Sequence, residues 1–96
     1  MPAYVIAEVT VTDPATMDEY RKQVPATLEK YGGRFVVRGG AIDVVEGDWK
    51  PSRLVVIEFD SMEHAKRWYD CEEYRLPKAL RQKAGRTNLL MVEGVR

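Results

Sequence analysis

The chain is 96 residues long, and its 15 basic and 15 acidic side chains cancel. That length supports one domain, residues 1–96, with one modest core. The cancelled charge offers no basic field for nucleic acid or an anionic membrane, no apolar run approaches the ~18 residues of a membrane span, and a single cysteine excludes an internal disulfide. The opening M-P-A-Y-V-I-A-E-V lacks a basic segment and is cut by Glu8. It reads as a first strand and not as a signal peptide, so a cytoplasmic location is expected.

Residues 3–11 alternate, with Val5, Ala7, Val9 and Val11 on one face and Tyr4, Ile6, Glu8 and Thr10 on the other. Asp13-Pro14 then reads as the cap and first residue of a helix. Met17, Tyr20, Val24, Leu28 and Tyr31 form its apolar stripe. Pro25 sits inside the stripe and is expected to kink the helix without ending it. Gly32-Gly33 supplies the stop.

Residues 34–38 and 41–46 are both strand-like, separated by Gly39-Gly40. A bend in one long strand is the preferred reading of that pair, because Glu46 to Pro51 is the better hairpin turn. Residues 53–59 make the third strand. Asp60-x-x-Glu63 resembles a capping box before a helix carrying Met62, Ala65, Trp68 and Tyr69. Asp70-x-x-Glu73 repeats the signal, so a further helical segment begins near Cys71, is interrupted by Pro77 and ends at Gly85. Residues 87–93 are the last strand. The order β-α-β-β-α-β predicts an α+β, ferredoxin-like, antiparallel four-stranded sheet with its helices on one face.

Helices on one face leave the other bare. On this reading that face carries Tyr4, Ile6, Leu54, Val56, Leu89 and Met91, too much apolar surface to leave to water. A homodimer packed sheet to sheet follows. Glu8, Glu58 and Glu93 are expected on the same face, with Arg38 and Arg53 as their nearest partners. Glu46 shares the parity of Arg38 only without a bulge at Gly39-Gly40.

Several short motifs point the same way. They are R-G-G at 38–40, E-G at 46–47, Trp49-x-Pro51-x-Arg53, I-E-F at 57–59, W-Y at 68–69, E-Y at 73–74 and V-E-G at 92–94. Taken together they resemble the family catalogued as a domain of unknown function, number 1330, over essentially the whole chain. The resemblance implies a ferredoxin-like subunit that dimerises into an α/β barrel. It also implies kinship with cofactor-free antibiotic-biosynthesis monooxygenases, muconolactone-isomerase-like enzymes and haem-dependent peroxidases. Cys71, where the family usually has Ser, and Asp60, where it often has Pro, depart from the pattern. Cys71 argues against a catalytic hydroxyl there.

The candidate site is Arg38, Glu46, Arg53 and Glu58: arginines to hold a carboxylate or enolate, Glu58 or Glu46 to move a proton. Tyr69 and Tyr74 are candidate substrate-binding donors. The same charges also fit a structural ion-pair network, and the aromatics also fit plain core packing. His64 is the only histidine, with no cluster of ligands around it, so no metal is expected and no cofactor is assigned. The expected function is a cofactor-free enzyme carrying out proton transfer or oxygenation on a small molecule. A non-catalytic ligand-binding or structural dimer is the alternative. A nucleic-acid surface is disfavoured by neutral charge and by the glutamates on the sheet.

Overall fold

A computed structural model describes residues 1–95. The elements are β1 (Ala3–Val11), α1 (Pro14–Tyr31), β2 (Arg34–Arg38), β3 (Leu54–Phe59), α2 (Met62–Asp70), α3 (Glu72–Ala84) and β4 (Gly85–Glu93). All strand pairs are antiparallel and the sheet order is β2-β3-β1-β4. This is the expected ferredoxin-like arrangement, with the second crossover divided into two helices. The division falls at Cys71, whose ψ of 156° is extended. The described residues form a slab 35 × 33 × 17 Å, thin because one sheet carries one helical layer. Among the described residues no helix is long and apolar enough to cross a membrane.

The caps explain the boundaries. Asp13 accepts hydrogen bonds from the Thr16 backbone N–H at 3.2 Å and hydroxyl at 2.7 Å, satisfying a free donor at the start of α1. Helix α1 runs unbroken through Pro25. It ends where Gly32 turns to φ 73°, with Gly33 N–H reaching Leu28 O at 2.9 Å and Gly32 N–H reaching Glu29 O at 3.4 Å. That paired closure is a Schellman motif. Ser61, one residue after the expected Asp60, caps α2 by accepting from His64 N–H at 3.2 Å.

On β1 the alternation holds. Ala3, Val5, Ala7 and Val9 are buried under the helices with Ile57, Phe59, Trp68 and Tyr74. Trp68 Nε1 donates to Thr27 Oγ1 at 3.0 Å, tying α2 to α1 inside this core. The other face of the sheet has no helix, as expected.

Two expectations are corrected. In β4, Leu90 pairs with Ile6 and Val92 with Tyr4, whereas Leu89 and Met91 pair with Ala7 and Val5. Leu89 and Met91 therefore pack under the helices and Leu90 and Val92 occupy the bare face. Glu93, opposite Ala3, leaves the face of Glu8 and Glu58. Residues 41–46 form no strand. After Arg38, Gly39 adopts φ 71°, and its N–H bonds Leu54 O at 2.9 Å. Residues 40–53 thus leave the sheet and return to the same rung. The one ladder irregularity near here falls between Phe35 and Val37, before the glycine pair.

Candidate functional site

Between α1, α3 and the sheet lies a narrow cavity of about 50 Å³, open at its mouth. Its floor is β1 and β3: Val5, Ala7, Val9, Val55 and Ile57. An alanine in the middle of that strand leaves the room a larger side chain would fill. Met17, Val24 and Trp68 close the apolar wall.

Four arginines interrupt this apolar lining: Arg21, Arg38, Arg53 and Arg81. Among the described residues no aspartate or glutamate lines the cavity. Arg38 pairs with Val55 on the helix-facing side of the sheet, and its guanidinium lies 4.2 Å from the centre of the Phe35 ring. Arg53 precedes β3 and lies over Gly39, where even a Cβ would come within 2.0 Å of its guanidinium. Burial, followed by the positive charges of Arg21 and Arg38, pulls the Arg53 pKa below the usual arginine value. Arg21 alone has an acidic partner, Asp18 at 3.1 Å on the helix surface.

At the inner end stand two tyrosines. Tyr20 and Tyr74 share a hydrogen bond of 2.9 Å, and Arg81 Nε donates to the Tyr74 hydroxyl at 3.3 Å. Burial, reinforced by Tyr74, pushes the Tyr20 pKa above the ordinary phenol value, so Tyr20 stays protonated. Tyr74 is clamped by Trp68, with ring centres 4.1 Å apart. The result is a cationic, largely apolar pocket ending in fixed hydroxyl donors, a fit for a small apolar anion.

Of the residues singled out in the sequence, Arg38, Arg53 and Tyr74 come together here. Tyr69 stands on the far side of Tyr74, its ring 6.0 Å away and capped by Lys78 Nζ at 4.0 Å. Glu58 lies on the opposite face of the sheet, where it accepts from Arg34 at 3.1 Å. Glu46 is exposed in the 40–53 loop. The expected four-residue constellation is therefore split by the sheet itself. Glu8, on the bare face, accepts from Trp49 Nε1 at 3.0 Å and Asn88 Nδ2 at 3.1 Å. His64 Nδ1 sits 2.7 Å from Ser61 Oγ in the first turn of α2. Among the described residues, no three His, Cys, Asp or Glu side chains converge as a metal would require.

Arg21 and Arg81 lie outside the residues that the sequence singles out, and Tyr20 enters there only as an aromatic of the core or of a pocket wall. A signal existed for Arg81: Tyr74, Pro77, Arg81 and Ala84 form the buried stripe of α3 at spacings of three and four. A cation on such a stripe is either partnered or functional.

A family model covers residues 2–95 and carries the description Domain of unknown function (DUF1330). The chain belongs to this family. A DUF1330 chain has no assigned reaction by membership, and no functionally curated protein matches the sequence. Solved structures share the fold. The RPA0582 protein of unknown function from Rhodopseudomonas palustris aligns over 99% of this chain and 83% of its own, at 16% identity and TM-score 0.79. SnoaB, a cofactor-independent oxygenase from Streptomyces nogalater, aligns over 99% of this chain and 94% of its own, at 12% identity and TM-score 0.70. A dimeric protein of unknown function with a ferredoxin-like fold from Bacteroides fragilis covers 97% and 96%, at 13% identity and TM-score 0.64.

Proposed function

We propose that this DUF1330 chain is a cofactor-free enzyme acting on a small, apolar, enolisable anion held in the arginine-lined cavity. One observation carries the reading: four arginines and two linked tyrosines line an apolar pocket that contains no carboxylate. Arg38 and Arg53 hold the substrate's carboxylate or enolate oxygen. Their charge favours the enolate over the neutral form, which lowers the acidity barrier to losing the proton. With Glu58 and Glu46 away from the cavity, the proton passes to water at the mouth. The Tyr20–Tyr74 pair donates a hydrogen bond to the oxygen that gains charge. The enolate is then reprotonated, as in an isomerase, or consumed by dioxygen, as the likeness to a cofactor-independent oxygenase suggests.

The alternative is a dimer that binds a carboxylate without chemistry. What favours it is the same missing base: neither a carboxylate nor His64 lines the cavity. Solvent deuterium exchange into a panel of enolisable aromatic and β-keto acids separates the two, with oxygen uptake in parallel. Exchange above the buffer rate, reduced ~10²–10³-fold in Arg53→Gln, supports the enzyme. Micromolar binding of the same acids with no exchange and no oxygen uptake overturns it in favour of the binding protein.

The working unit of this reading is a homodimer in the cytoplasm. Its support is the bare face, where Tyr4, Ile6, Leu54, Val56, Leu90 and Val92 stand together, and the dimeric relative of the same fold.

A further inference from the structure

Arg81 is not confined to the cavity. It also lines a second hollow, between α3 and the edge strand β4, bounded by Tyr69, Gln82, Gly85, Thr87 and Leu89. This hollow is polar where the first is apolar. Two observations there are unexplained by the core. Arg81 is only 5% exposed, yet among the described residues its sole side-chain bond is from Nε to Tyr74, which leaves both terminal amino groups without a protein partner. Thr87 Oγ1 is fully buried without a partner, the one such side-chain atom among the described residues, whereas the Arg81 amino groups are not sealed from solvent in that way. No acidic side chain lines either cavity that Arg81 touches.

A buried hydroxyl left unmatched is costly and is normally matched by protein, water or ligand, and the free terminal amino groups of the largely buried Arg81, lining the same hollow, are the donors an anion there would meet. We propose that the hollow is a carboxylate-binding site, with the terminal amino groups of Arg81 and the hydroxyl of Thr87 as its ligating groups. A guanidinium presents two parallel N–H donors that match the two oxygens of a planar carboxylate, and the hydroxyl supplies a third donor. One cation and one hydroxyl suit a single negative charge, which a carboxylate carries and a phosphate dianion exceeds. The site stands apart from the proposed reaction and does not depend on it. The two are in contact through one side chain, since Arg81 Nε holds the Tyr74 hydroxyl that Tyr20 shares. Filling the hollow therefore fixes the inner end of the cavity.

The test is a titration followed by two-dimensional ¹⁵N–¹H NMR, read at the Arg81 Nε–Hε signal and the Thr87 amide. Acetate is the probe, with chloride and inorganic phosphate at matched ionic strength as comparisons. Acetate is expected to move both signals saturably at millimolar concentration, and chloride to leave them in place. Thr87→Val removes the hydroxyl at constant shape. It is expected to weaken acetate at least five-fold while melting temperature holds or rises, because the hydroxyl it removes has no protein partner. Arg81→Lys keeps the charge and loses the fork, and is expected to weaken acetate at least ten-fold. If it fails to fold, Thr87→Val decides alone. Arg53→Gln separates the sites, since it alters the cavity and leaves acetate affinity at Arg81 unchanged. Linear shifts common to all anions, tighter binding of phosphate than of acetate, an unchanged affinity in Thr87→Val, or a drop of several degrees in its melting temperature would each overturn the assignment.

Discussion

Arg53 and Tyr20 bear on stability in opposite senses. Arg53 is partly buried beside two like charges and without an acid among the cavity walls, so its charge opposes folding locally. Arg53→Gln should leave the melting temperature unchanged or raise it, while removing binding of the enolisable acids in the arginine-lined cavity, as thermal melts and calorimetry on the same samples will read. A structural ion pair would give the opposite stability result. Tyr20 sets a pH limit. Its ionisation is held above the unfolded value near pH 10, so its contribution is complete below that pH and declines as pH rises. Wild-type stability minus that of Tyr20→Phe should therefore fall by about 1.4 kcal/mol per pH unit above pH ~10, measured by urea unfolding. Of these residues the sequence exposed Arg53, Arg38 and Tyr74, because arginine and tyrosine beside apolar runs are conspicuous. It could not expose the separation of Glu58 from Arg53. Arg53 lies just before β3 and Glu58 within it, and the odd spacing of five along this extended stretch sends the two side chains to opposite faces, although their nearness in sequence makes them look like partners.

Among the elements, local signals decided most boundaries and nonlocal pairing decided the rest. The β1 alternation, the Asp13 cap and the Gly32-Gly33 stop all act within a few residues, so they were legible. Leu89, Leu90, Met91 and Val92 are all apolar, so β4 has no period of its own; its facing is set by register against β1. Ile42, Val44 and Val45 look strand-forming, but a strand needs a ladder, and the returning chain offers Pro51, which has no N–H to give. Val45 is accordingly 88% exposed. At the junction of α3 and β4 the backbone passes close to β1: a Cβ on Gly85 would lie 2.2 Å from Thr10 O. Gly85→Ala should destabilise the fold by about 1–3 kcal/mol, since backbone must move to admit it. Denaturant melts check this, and because Gly85 also borders the Arg81 hollow, acetate affinity should weaken with it.

At the scale of the whole molecule the slab is one-sided. Its helical face holds the core and both hollows. Its bare face holds apolar side chains in a continuous patch around Ile6 and Val56, which pair across β1 and β3. Val56→Asp places a charge at the centre of that patch. Light scattering at micromolar concentration should show the change from a dimer to a monomer, with the core intact by circular dichroism. A wild-type protein that is already monomeric would end the dimer reading and leave the cavity reading standing.

The sheet order also has a consequence in time. Strand β1 leaves the ribosome first, yet it is flanked only by β3 and β4, which are synthesised some fifty and eighty residues later. Until then β1 is an apolar strand with both hydrogen-bonding edges free, the form of chain most prone to pair with a stranger. Helix α1, capped by its own residues, can shield one face meanwhile. Neither edge closes until distant chain arrives. Folding should accordingly be slow for the protein's size, and holding chaperones should raise the yield of folded protein more than they raise its stability.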